Sequence, residues 1–168
     1  IVDYGAGNLF SVENALDFLQ IPWIVTAAPQ AIRDADGVIL PGVGAFPDAM
    51  ERLRSTGLED TLREEAVKKP FLGICLGMQM LFQHSEENGF YDGLGLFPGT
   101  ITKFHDAGLK IPHMGWNTLD TRPCVLFDGG QSPFVYFVHS YYAENCAVSL
   151  TATAGYGLEL TAAVQREN

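Results

Sequence analysis

The stretch Gly73-Ile74-Cys75-Leu76-Gly77 constrains this chain more than any other. Phe71-Leu72-Gly73-Ile74 before the cysteine reads as a buried strand. Met78, Leu81 and Phe82 after it repeat at helical spacing. A single reactive residue between two glycines at a strand-to-helix turn is the nucleophile-elbow pattern, normally built on serine. The turn is too tight to admit side chains on either side of that residue, hence the glycines. A sulfur at a helix N-terminus also finds unpaired N–H groups and a dipole that stabilise its thiolate. The same residues fit a plainer reading, in which Cys75 is one more small buried hydrophobe.

The first half of the chain alternates strand and helix around this turn. Ile1–Tyr4 is a strand, and Val12, Ala15, Leu16 and Leu19 form one apolar helical face behind Ser11 as N-cap. Trp23-Ile24-Val25 is a short second strand closed by Pro29. Gly37–Leu40 is a third, apolar throughout as buried parallel strands are. Phe46, Met50 and Leu53 mark a helix, and Leu58 to Lys68 another. This predicts an α/β fold: a central, mostly parallel sheet with helices on both faces and ligands beyond the carboxyl ends of the strands. From about Gly93 shorter runs (Gly99–Phe104, Trp116–Leu119, Phe134–Val138, Val148–Thr153, Ala162–Gln165) alternate with turns. They predict a few added antiparallel or mixed strands, one of them returning to the central sheet. No repeat or linker intervenes, so residues 1–168 read as a single domain.

Composition narrows the function classes. The 168 residues are 47% hydrophobic, enough for a sizeable core. A net charge of −10 without a basic stripe argues against nucleic acid and anionic membrane as partners. No apolar run approaches the roughly 20 residues of a membrane span, and no signal peptide opens the sequence. Cys75, Cys124 and Cys146 lie far apart without a CxxC pair, which argues against disulfides and zinc and for a reducing, cytoplasmic setting.

A second turn bears on the first. In Pro41-Gly42-Val43-Gly44-Ala45-Phe46 the glycines leave backbone N–H groups open to a cavity. An elbow that performs acyl transfer needs two such donors, the N–H after the nucleophile (Leu76) and one from a neighbouring loop. Gly42–Gly44 is placed to supply the second, although an ordinary glycine-rich connection has the same composition. Gly5-Ala6-Gly7 does not continue into a dinucleotide fingerprint, because its third glycine position holds Phe10. Among the histidines, His84 falls on the helix expected after Cys75, off the active face, and His105 sits in a polar turn. His113 belongs to Pro112-His113-Met114-Gly115-Trp116, and His139 ends the apolar run Tyr136-Phe137-Val138. From the residues alone His139 is the natural candidate for a base, with a hydrogen-bonded structural histidine as the alternative.

Together these residues resemble a class I, triad-type glutamine amidotransferase, with the flavodoxin-like three-layer fold of that family. Five stretches carry the resemblance over the whole length: Asp3-Tyr-Gly-Ala-Gly-Asn8, Leu40–Phe46, Gly73–Gln79, Pro112-His-Met-Gly-Trp-Asn117 and Tyr136–Tyr141. Within the superfamily they are similar to the glutaminase subunits of imidazole glycerol phosphate synthase, in histidine biosynthesis. The resemblance implies that Cys75 attacks the side-chain amide of L-glutamine, forming a glutamyl thioester and releasing ammonia. It implies an oxyanion hole at Gly42, Val43, Gly44 and Leu76, completed by a peptide flip in the glycine-valine loop. It places substrate at Gln79, Glu87 and the Ser140-Tyr141 backbone. Asn8, His113, Met114, Trp116, Asn117 and Tyr136 match the face that docks the cyclase, a (β/α)8 barrel, into which ammonia passes as a heterodimer channels it. No cofactor or metal is implied.

The resemblance also withdraws the base from His139. In the family that role belongs to the histidine of a His-Pro-Glu motif on a later strand, and no histidine here is followed by proline. The reading of the sequence is therefore of a domain cut short at its C-terminus, a nucleophile without its base, and a 168-residue chain without glutaminase activity.

Overall fold

The computed structural model describes residues 1–105, 108–130 and 132–166. In the first half the chain runs through α1 (Leu9–Phe18), α2 (Pro29–Asp34), β1 (Val38–Leu40), α3 (Phe46–Ser55), α4 (Glu59–Glu65), β2 (Phe71–Gly73) and α5 (Leu76–Gln79). β1 and β2 pair in parallel with Leu40 opposite Gly73. Val2 extends this pairing: its N–H donates to the Ile39 carbonyl at 2.9 Å, and it bridges Thr26 in parallel on its other side. The spatial order is thus Thr26, Val2, β1, β2, a parallel arrangement whose C-terminal ends converge on one edge. The segments around Val2 and Thr26 contribute one bridge, shorter than the strands expected at Ile1–Tyr4 and Trp23–Val25.

Helix α3 shows why the sequence reading worked there. Phe46, Ala49, Met50 and Leu53, at i, i+3, i+4 and i+7, are all buried. They join Tyr4, Leu40, Met80 and Phe82 in the main core. Pro29 begins α2 at its first turn, where a missing N–H costs nothing, so it opens a helix as well as ending the preceding segment.

Three local expectations are corrected. The N-cap of α1 is Asn8, not Ser11, because the Asn8 Oδ1 accepts the Ser11 N–H at 3.3 Å. No residue of α1 is buried, and its expected apolar face leaves Ala15 and Leu19 exposed. The helix after Cys75 stops at Gln79. Leu81 closes the following turn and Phe82 opens β3 (Phe82–Ser85), where the Leu81 carbonyl accepts N–H groups of Leu96 and Phe97 at 2.8 and 3.0 Å. Pairing with a neighbouring strand outweighs the helical repeat. His84 accordingly lies on a strand, paired with Asp92 at 3.0 Å.

The second half continues through β4 (Tyr91–Asp92), β5 (Phe97–Lys103), β6 (His113–Thr118), β7 (Asp120–Thr121), β8 (Phe134–His139), β9 (Tyr141–Glu144), a single 3-10 turn at Ala147–Ser149, β10 (Leu150–Gly155) and β11 (Glu159–Val164). These form sheets ordered β4-β3-β5-β9 and β11-β10-β7, and a β6-β8 ribbon. Among the described residues none of these strands pairs with β1 or β2, so the expected return to the central sheet is not seen there. The C-terminal Asn168, where the sequence reading places the cut, lies outside the described residues. A second core of Phe104, Leu119, Tyr142, Ala152, Ala154 and Leu160 holds this half together.

Candidate active site

Cys75 stands between β2 and α5 with φ 56° and ψ −118°, and it is exposed. A non-glycine residue in that region costs on the order of 1–3 kcal/mol, which the surrounding packing must over-determine. The packing is visible at the flanking glycines. A Cβ on Gly73 would meet the Met78 Cα at 2.7 Å, and one on Gly77 would sit inside the Leu40 carbonyl oxygen. The turn is tied by Gly77 N–H to the Ile74 carbonyl (2.9 Å) and by Ile74 N–H to the Leu40 carbonyl (3.0 Å). Cys75 is thus held out of the core, against the plainer reading of a buried hydrophobe.

The Pro41–Ala45 loop lies directly on this elbow. A Cβ on Gly42 would meet the Gly77 nitrogen at 2.5 Å and the Leu76 carbonyl carbon at 2.9 Å. Only a residue without a side chain lets the two backbones come so close. Among the described residues, the N–H groups of Val43, Gly44 and Leu76 have no intramolecular acceptor, so they are open donors on the elbow and on the loop packed against it. Beneath the loop, buried Tyr4 donates its hydroxyl to the Pro41 carbonyl at 2.8 Å. Burial, with the charge of Cys75 adding to it, pushes the Tyr4 hydroxyl up to about 12. Nothing in the sequence pattern pointed to this tyrosine, because its contact spans 37 residues.

The expected substrate residues meet at one edge of the elbow. The Gln79 Nε2 donates to the Tyr141 carbonyl at 3.2 Å. Glu87 accepts the Phe46 N–H on its Oε2 at 2.8 Å, at the first turn of α3, where the helix dipole favours a carboxylate. Burial and then the Glu87 charge raise the Tyr141 hydroxyl above its ordinary value. The Ser140 carbonyl accepts the Phe104 N–H at 3.1 Å. Gln79, Glu87, Ser140 and Tyr141 are each half-buried, between core and solvent.

His139 is not available as a base. Its Nδ1 is 2.8 Å from the Tyr141 carbonyl and its Nε2 is 3.0 Å from the His113 Nδ1. Both nitrogens are engaged, which is the structural alternative left open by the residues alone. His113 and His139 are directly opposed across β6 and β8, and period-2 alternation puts both on the inner face of the ribbon. The outer face carries Met114, Trp116, Phe134, Tyr136 and Val138, all exposed; Trp116 and Tyr136 form an edge-to-face pair at 5.6 Å. Of the residues expected at a docking face, Met114, Trp116 and Tyr136 share this surface. His113 and Asn117 point inward, and the Asn8 side chain caps α1.

A family model for class-I glutamine amidotransferases matches residues 1–168. The chain belongs to the class-I glutamine amidotransferase family. Amidotransferases similar to it include the imidazole glycerol phosphate synthase subunit HisH of Oceanobacillus iheyensis, 50% identical over all of this chain and 85% of the relative. The HisH protein of Moorella thermoacetica is 51% identical over all of this chain and 81% of its own length, and that of Bacillus licheniformis 48% identical over 98% and 81%. In fold, the amidotransferase chain also matches a crystal structure of a glutamine amidotransferase with a TM-score of 0.70, at 17% identity over 93% of this chain and 84% of the other. That likeness, with the parallel β1–β2 core and mixed outer sheets, bears out the α/β amidotransferase fold expected from the sequence.

Proposed function

We propose that this chain is the glutaminase subunit of imidazole glycerol phosphate synthase, with Cys75 as its nucleophile. The observation that carries the reading is the backbone contact of Gly42 with Leu76 and Gly77, which packs the glycine loop onto the turn that bears the exposed Cys75. The Cys75 thiolate adds to the carboxamide carbon of glutamine, and the carbonyl oxygen becomes an oxyanion held by Leu76 N–H and the Gly42–Gly44 loop. Collapse breaks the C–N bond; the leaving nitrogen takes a proton and departs as ammonia, leaving a glutamyl thioester. Water then adds to the thioester, glutamate leaves and the thiolate is restored. Gln79, the free oxygen of Glu87 and the Ser140-Tyr141 backbone hold the amino-acid end of the substrate.

The exposed ribbon face of Met114, Trp116 and Tyr136 docks the cyclase subunit, a (β/α)8 barrel, and ammonia passes to it without meeting bulk water. Ammonia that reached solvent at neutral pH would be protonated and lose its nucleophilicity. The general base is a histidine of a His-Pro-Glu motif, which these 168 residues do not contain. Free, widely separated cysteines fit a reducing cytoplasm.

Labelling with a chloroketone analogue of glutamine tests the assignment. Stoichiometric alkylation of Cys75, prevented by glutamine, absent in Cys75→Ala and faster with the cyclase present, is the expected result. Equal labelling of Cys75 and Cys124 that glutamine does not prevent would remove Cys75 from the substrate site. Co-purification with a synthase other than the cyclase would reassign the acceptor of the ammonia.

A further inference from the structure

We infer that His113 and His139 form a neutral, one-directional hydrogen-bond relay that positions Gln79 through the carbonyl of Tyr141. The chain of contacts is continuous. Asn117 Nδ2 donates to the Gly155 carbonyl at 2.9 Å and lies 3.5 Å from His113 Nε2. His113 Nδ1 is 3.0 Å from His139 Nε2, His139 Nδ1 is 2.8 Å from the Tyr141 carbonyl, and that carbonyl accepts Gln79 Nε2 at 3.2 Å.

The two ends dictate every proton in between. The Tyr141 carbonyl can only accept, so His139 carries its proton on Nδ1. A neutral His139 is then a bare acceptor at Nε2, and the only group there to supply a proton is His113 Nδ1–H. That leaves His113 Nε2 bare, facing the Asn117 amide nitrogen, which can only donate. Both imidazoles are therefore neutral Nδ1–H tautomers. With its two lone pairs used by His139 and Gln79, the Tyr141 carbonyl fixes the Gln79 amide the same way round: nitrogen bound, oxygen turned outward as an acceptor. That orientation suits a substrate that brings N–H donors, so the inference rests on the glutamine reading given above.

Acid reverses the two links beyond His139 and leaves His139 Nδ1–H on the Tyr141 carbonyl. A proton from solvent on His139 Nε2 faces the His113 Nδ1–H. To accept it, His113 must give up its Nδ1 proton and carry one on Nε2 instead. That new N–H opposes the Asn117 nitrogen, whose amide must turn over and release Gly155. The surroundings offer no compensation. The rings packed on the pair are Phe104 on His139, Phe137 on both, and Tyr156 on His113, whose hydroxyl is committed to the Lys110 carbonyl at 2.6 Å. Tyr141 and Glu87 are the titratable groups beyond the carbonyl, and one oxygen of Glu87 accepts the Phe46 N–H. Among the described residues no carboxylate forms an ion pair with either imidazole.

Nitrogen-resolved NMR of the imidazoles tests this without any activity. In the 168-residue chain at about pH 7.5 both rings should show Nδ1–H and a bare Nε2. On acidification, His113, His139 and the Asn117 side-chain amide should move in one shared transition. His139→Phe keeps the ring packing and removes the donor; there the Gln79 amide should lose its protection, and half-saturation by added glutamine should rise about tenfold, the worth of one hydrogen bond. An Nε2–H ring at either histidine at about pH 7.5, or an Asn117 amide that ignores the transition, overturns the relay. If the variant does not fold, the wild-type titration decides alone. A shared transition with a Gln79 amide that never responds to glutamine sustains the relay and overturns the substrate role instead.

Discussion

Gly42 and Gly77 touch backbone to backbone, so neither can carry a side chain without separating the Gly42–Gly44 loop from the elbow. Gly44, two residues on, has φ +93° and open space where its Cβ would be. The two kinds of glycine should respond differently to alanine. Gly77→Ala forces overpacking against the Leu40 and Pro41 backbone and should cost about 3 kcal/mol. Gly44→Ala meets only backbone strain and should cost about 1 kcal/mol. Urea midpoints at constant slope measure both, and equal losses would refute the close contact.

Tyr4→Phe removes the hydroxyl that anchors the Pro41 carbonyl and leaves a buried acceptor unpaired, at about 1–2 kcal/mol. Because the Tyr4 hydroxyl is raised above its ordinary 10.0, the folded state keeps a proton that the unfolded state releases. Its contribution is intact below pH 10 and is lost as the pH climbs toward 12. Stability of wild type should fall across that window, and the fall should be smaller in Tyr4→Phe.

The histidine pair acts at the other end of the scale. Burial, and for His113 the neighbouring His139 as well, holds both rings below the ordinary 6.5. Above that value both states are neutral and nothing is lost. As the pH drops through 6.5 the unfolded chain takes up protons that the folded one refuses, and stability declines. His113→Phe/His139→Phe should flatten this decline between about pH 6.5 and 5 in thermal unfolding curves, ahead of carboxylate titration.

Glu87→Gln keeps an oxygen for the Phe46 N–H but removes the charge that the proposed function offers to a substrate ammonium. The fold should change by less than about 0.5 kcal/mol, while glutamine binding weakens by about 10- to 100-fold. Calorimetric titration beside a denaturation curve separates the two, and unchanged affinity would move the amino group of the substrate elsewhere.

The 168 residues expressed by themselves should release no glutamate from glutamine, with or without the cyclase. A glutamate-dehydrogenase-coupled assay is sufficient, and measurable release would mean that a base other than a His-Pro-Glu histidine serves Cys75.

Local residue patterns were enough for the elbow, the glycine turn at Gly42–Gly44 and helix α3, because glycine at a tight turn and a 3.6-residue apolar stripe are requirements of the backbone itself. They also separated an amidotransferase from a dinucleotide binder, since Phe10 stands where close packing needs a glycine. Where two solutions satisfied the same residues, distant partners chose between them. Phe82 suits a helix or a strand, and Phe97 opposite it decided for the strand. His139 suits a base or a structural ring, and His113 and the Tyr141 carbonyl used up both its nitrogens. Tyr4 became part of the site only when Pro41 was brought above it. A single sequence holds the spacing that a turn or helix obeys, but hydrogen-bond saturation depends on groups tens of residues away, and only the folded chain brings those together.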